Sequence, residues 1–123
     1  FYKHMQPSKT MLVDISGLNG VETHHERFPD AQIVKGIPNC NAMQWLVEDV
    51  DLIFVCETPL NYCLMEKAKA AGVPVVLQYN YEFLDYLNQP NLAPPAVLAA
   101  PTRWGFDKVS ERQIAPMIDY SCL

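Results

Sequence analysis

The sequence predicts an α/β fold built on a mainly parallel sheet. Three observations carry that prediction. Apolar runs near residues 52–55, 75–78 and 97–100 are apolar along their whole length, as strands are when both sheet faces are covered. An amphipathic helical pattern with a glycine stop lies between the first two, making one β-α-β unit from Val50 to Asn80. Strand and helix signals alternate along much of the chain, the mark of this class. A β-α-β crossover is nearly always right-handed and parallel, so this unit fixes the architecture around it.

Each element has its own signal. Phe1 to Thr10 has no clear period and reads as an irregular or edge segment. Met11 to Ile15 is a short apolar strand that ends at the turn Ser16-Gly17. Leu18 to Pro29 is polar and reads as a loop; Gln32-Ile33-Val34 is a strand closed by Gly36 and Pro38. Asn41 is the expected N-cap of a helix carrying Met43, Trp45, Leu46 and Val47 and ending near Asp49. Asp51 to Cys56 is a buried strand, followed by the turn Glu57-Thr58-Pro59. The helix from Leu60 to Ala71 turns Leu60, Leu64, Ala68 and Ala71 toward the sheet, with Pro59 suited to its first turn. Gly72 stops it, and Val73 to Tyr79 is the next strand. Glu82 to Leu87 suggests a helical turn and Asn88 to Pro95 a surface loop. Ala96 to Ala100 is a strand, Thr102 caps a helix through Trp104, Phe106 and Val109, and Met117 to Tyr120 is the last strand.

At 123 residues the chain fits a single domain, 1–123, with a real core. A net charge of −5 gives no nucleic-acid footprint, and no apolar run reaches transmembrane length. No secretory leader pattern opens the sequence. The cysteines are Cys40, Cys56, Cys63 and Cys122, with no C-x-x-C pair. Cys56 in a core strand and Cys63 on an inner helix face read as small hydrophobes, the alternative being a disulfide or metal site. Free thiols make a reduced, cytoplasmic protein the expectation.

In a parallel sheet, ligands sit beyond the carboxyl ends of the strands. Those ends carry Ser16 and Gly17, then Glu57 and Thr58, then Asn80, Tyr81 and Glu82, and then Arg103. The Ser16-Gly17 turn could let backbone amides approach a phosphate or sugar, or could simply connect two elements. Glu57 and Glu82 are candidate acid/base carboxylates or helix and loop caps. Adjacent His24 and His25 have poor spacing for a metal; His24 is a candidate beside a reacting sugar or a packing histidine. Arg103 could hold an anion or form a surface ion pair. Tyr79, Tyr81, Phe83, Tyr86 and Trp104 could stack on sugars or bases, or fill the core. No metal site and no cofactor motif is expected: the glycine turn is neither G-x-G-x-x-G nor a P-loop.

Three segments carry a family resemblance: Val55-Cys56-Glu57-Thr58-Pro59, Ala70 through Leu77, and Tyr79 through Leu84. Ala99-Ala100-Pro101-Thr102-Arg103-Trp104 is similar to an Ala-Pro-Ser/Thr stretch that precedes a helix. Together they resemble the amino-terminal domain of GT-B fold, family 4-like glycosyltransferases of bacterial or phage type. The resemblance implies a Rossmann-like open sandwich, one half of a GT-B architecture. It implies a nucleotide-sugar donor and an acceptor as partners, with the acceptor bound mostly on this side. A carboxy-terminal domain, absent here, would hold most of the donor, so this chain is expected to be inactive alone. By position, Ser16 and Gly17 would near the donor diphosphate. The alternative from another class is a noncatalytic α/β domain that binds a ligand or a protein.

Overall fold

The computed structural model describes residues 2–15, 26–57, 59–81, 85 and 90–119. A short helix, α1 (Tyr2–Met5), leads into β1 (Met11–Asp14), which pairs in parallel with β2 (Gln32–Lys35). Then come α2 (Cys40–Val47), β3 (Ile53–Val55), α3 (Cys63–Ala71) and β4 (Val75–Gln78). The described chain closes with β5 (Val97–Ala100), α4 (Arg103–Ser110) and β6 (Met117–Asp119). The last four strands form one sheet in the order β3-β4-β5-β6, and every pairing is parallel. The architecture is therefore α/β with parallel sheets, Rossmann-like as expected.

Helix ends follow local chemistry. Asn39, not Asn41, caps α2: its backbone is extended and its Oδ1 accepts the Ala42 amide at 3.0 Å. Asn41 sits one residue inside the helix. At the other end, the Lys9 ammonium donates to the carbonyls of Trp45 and Glu48 and lies 5.0 Å from the Trp45 ring centroid. A cation there satisfies carbonyls that the helix leaves open. Helix α3 begins at Cys63 rather than Leu60. Asn61 Oδ1 accepts the Cys63 amide at 2.9 Å, an Asx turn that holds residues 59–62 outside the helix. Gly72 does stop α3: at φ 70° its amide bonds to Lys69, and the Val73 amide returns to Ala68 at 2.9 Å. That is a Schellman cap, and glycine takes its left-handed turn at least cost.

The inner side of α3 is Leu64, Met65 and Ala68, whereas Leu60 and Ala71 face solvent. These residues join Met43 and Val47 of α2, Val109 of α4 and one face of the sheet in the core. Leu77 and Leu98 are fully buried there, each contributing about 1.5–3 kcal/mol of transfer free energy.

The sheet corrects one expectation. Of Ile53, Val55, Val76 and Val97, only Ile53 is buried; the other three are half-buried. The parallel register explains part of this. Val76 pairs with Phe54 and Val97, and all three stand on the face opposite Leu77. That second face is less covered, so the four strands are not packed equally on both sides. Val55 shares the Leu77 face but lies on β3, at the end of the strand order.

Candidate functional site

The register sets which residues share the carboxyl edge. Val55 pairs with Leu77 and Gln78 with Ala99. Two residues further on, Glu57 stands level with Tyr79, and Asn80 stands level with Pro101. Glu57, Asn80, Tyr81 and Arg103 thus leave three adjacent strands on one edge. The strand order runs in sequence, with no reversal inside this sheet, so no switch-point crevice forms between these strands. The edge is an open rim.

Ser16, Gly17, His24, His25, Thr58 and Glu82 lie outside the described residues. The pairing of Glu57 with Glu82 therefore has no geometry here.

Glu57 has φ 75° and an exposed side chain. Its position continues the alternation of Ile53 and Val55, which would aim it at the packed face. The strand ends at Val55, however, and the left-handed residue after it keeps its carboxylate in water. Burying it unpaired would cost more than the backbone penalty. Cys56 was expected in the core and is exposed. Strand β3 ends at Val55, and Cys56 continues the less covered side with Phe54.

Tyr81 and Trp104 make an aromatic corner. Their ring centroids are 4.8 Å apart with planes at 60°. They are 42% and 57% exposed, unusual for neighbouring large aromatics that could have packed inward. Trp104 is held by the start of α4, where Thr102 Oγ1 accepts the Gly105 amide at 3.0 Å. Arg112 brackets the corner from the end of α4. Its guanidinium bonds Asp85 Oδ1 at 2.8 Å. Asp85 holds the arginine above its ordinary pKa, and the Tyr81 phenol adds to that effect.

Arg103 resolves toward its ion-pair alternative. Nε meets Asp107 at 3.2 Å, Nη1 meets Asp119 at 3.4 Å, and the guanidinium lies 5.3 Å from the Phe106 ring centroid. Its charge is locally balanced by two carboxylates. Such exposed pairs add little stability, but they leave the rim without strong positive field at this point.

Under the rim, Tyr79 is buried, and its hydroxyl has no partner among the described residues. A Cβ on Gly105 would lie 3.0 Å from Thr102 Oγ1 and 3.4 Å from that hydroxyl, so only glycine fits without a shift. Burial pushes the Tyr79 phenol up to about 12.

Sequence reasoning missed Asp85, Asp107, Arg112 and Asp119. The i,i+4 spacing of Arg103 and Asp107 was a usable signal. The Asp85–Arg112 pair joins residues far apart in sequence, and nothing local announces it. Among the described residues, no three His, Cys, Asp or Glu side chains converge as a metal set, and no helix is long and apolar enough to cross a membrane. The chain matches no known protein family, no curated protein and no solved structure.

Proposed function

We propose that this chain is a carbohydrate-binding α/β domain, the acceptor-side half of a nucleotide-sugar-dependent glycosyltransferase. The observation that carries the reading is the exposed Tyr81–Trp104 corner on the carboxyl edge that Asn80 and Glu57 also leave. A sugar presents apolar C–H faces and a ring of hydroxyls. Exposed aromatic faces suit the first, and amide and carboxylate groups suit the second. The balanced charge of Arg103 favours a neutral polyhydroxyl ligand over a diphosphate at this edge. That supports the acceptor side over the donor side. In this reading the donor nucleotide sugar is held by a second domain, and Glu57 is the candidate acid/base group of this edge. The chain alone then performs no transfer, because one reactant has no fixed position; orientation alone is worth about 7–11 kcal/mol.

The test is a titration of the chain with a panel of neutral oligosaccharides, followed by amide NMR shifts and tryptophan fluorescence. Shifts should centre on Glu57, Asn80, Tyr81 and Trp104, and Trp104→Ala should abolish them while Trp45 emission persists. A panel that moves none of these residues, or that moves only the opposite edge, overturns the reading.

A further inference from the structure

We propose that Cys40 and Cys63 form an oxidisable dithiol, a modification site that closes to a disulfide by exchange with a small disulfide such as oxidised glutathione. Both thiols are free, and each is the first residue of its helix. The two helices lie side by side with their rungs matched. One turn below the cysteines, Lys67 Nζ donates to Gln44 Oε1 at 3.0 Å. Gln44 is four residues after Cys40, and Lys67 is four residues after Cys63, so each stands on the same helical face as its cysteine. The Gln44–Lys67 rung therefore sets Cys40 and Cys63 on the facing sides of the two helices.

Asn61 holds the two helix starts in this register. Its Nδ2 donates to the Pro38 carbonyl at 2.9 Å and lies 3.9 Å from Cys40 Sγ, while its Oδ1 takes the Cys63 amide at 2.9 Å. One side chain thus ties the segment before α2 to the first turn of α3. The cysteines come from distant parts of the sequence, and a disulfide needs such a preset approach.

Access differs between the two sulfurs. Cys40 is exposed, whereas Cys63 is half-buried and lines an open groove of about 430 Å³ with Gln44, Glu66 and Lys67. Cys40 is the attacking thiol. Its thiolate displaces one thiolate from the small disulfide, giving a mixed disulfide at Cys40. Cys63 then loses its proton to solvent and attacks Cys40 Sγ, releasing the second small thiol. Two protein thiols are oxidised and one small disulfide is reduced to two thiols. The Cys40 sulfur beside it, and then burial, hold the Cys63 thiol above its ordinary pKa by favouring the protonated form, which fits a resolving rather than an initiating role. The bond would anchor the base of the β3–α3 connection, the segment that carries Glu57. The dithiol itself stands independently of the carbohydrate reading.

The experiment uses the reduced full chain, native, exposed to oxidised glutathione. The reaction is quenched with acid, alkylated and mapped by mass spectrometry. The expected product is a Cys40–Cys63 cross-linked peptide, with loss of both free thiols. In Cys63→Ser, circular dichroism should be unchanged and Cys40 should accumulate as its glutathione adduct. Cys56→Ser should leave the cross-link intact, and urea should erase the preference for this pairing. Separate glutathione adducts on Cys40 and Cys63, or a dominant disulfide from Cys40 to Cys56 or Cys122, overturn the proposal.

Discussion

The two faces of the four-stranded sheet are built from similar apolar residues yet differ sharply in burial. On one face Ile53, Val75, Leu77, Tyr79, Leu98 and Ala100 all lie in the core. On the other, Phe54, Val76 and Val97 are half-buried and Ile118 is 48% exposed, with Ala99 alone fully covered. The difference comes from where the helices sit. The inner residues of α2, α3 and α4 all join the first face. Apolar composition along a strand therefore records that both faces avoid water to some degree, not that both are packed equally.

Two adjacent positions on β4 give the sharpest test, and the largest expected effect. Leu77 is 1% exposed and packs against the helices. Leu77→Ala should cost about 2–5 kcal/mol, the loss of transfer free energy plus a cavity that close packing cannot fill. Val76→Ala, one residue away on the opposite face, should cost about 1 kcal/mol, since only part of its methyl surface is covered. Urea unfolding of the two variants measures both. Equal costs would mean that the second face is as tightly packed as the first.

This inequality also marks what could be read from the residues alone. The β-α-β unit, the Gly72 stop and the Thr102 cap were all legible, because each rests on contacts between near neighbours in sequence. The sheet's parallel sense followed from them. The burial of Val55, Val76 and Val97 was not legible, because a run of apolar residues carries no period that separates its two faces. The same blind spot put Cys56 in the core. Helix starts slipped for a related reason: Asn39 caps α2 in place of Asn41, and the Asn61 turn delays α3 past the first turn that Pro59 suits, so the choice depends on which backbone turn closes first. At the rim, Glu57, Asn80, Tyr81 and Arg103 were placed on one edge by topology. The aromatic corner and the carboxylates around Arg103 depend on side-chain packing between separate elements, which single-sequence patterning does not encode.

Tyr79 tests how dry the packed face stays as it reaches the rim. Its phenol rises from an ordinary 10.0 to about 12 because burial disfavours the phenolate. Below pH 10 the group is neutral in both folded and unfolded chains, so the whole contribution is present. As pH rises from 10 toward 12, the unfolded chain ionises first and stability falls. The expected loss at this residue is roughly 2–3 kcal/mol by pH 12. Tyr79→Phe should remove that slice of the pH dependence. At neutral pH it should leave stability unchanged or slightly raised, because it deletes a buried hydroxyl with no partner among the described residues. Superimposable pH profiles for the two proteins would show that water reaches the phenol, and the packed face would then end before the rim.

Glu57 gives the smallest effect and separates strain from chemistry. Extended alternation would place its side chain on the packed face, but the chain turns here with a φ of 75° and the carboxylate is exposed. A non-glycine residue pays about 1–2 kcal/mol in that conformation. Glycine relieves this strain but returns about 0.5–1 kcal/mol through its freer unfolded chain. Glu57→Gly should therefore stabilise the fold by up to about 1 kcal/mol. Glu57→Ala keeps the strained backbone and removes only an exposed carboxylate, so it should leave the melting temperature nearly unchanged. Thermal unfolding of the three proteins should rank glycine first, with glutamate and alanine together below it. If alanine matches glycine, the left-handed turn follows the carboxylate rather than the chain path. Oligosaccharide titration of the same variants completes the argument. A glycine variant that is more stable but loses sugar-induced shifts at Asn80 and Tyr81 would tie the strain to the work of the rim, because the fold itself would be better without it.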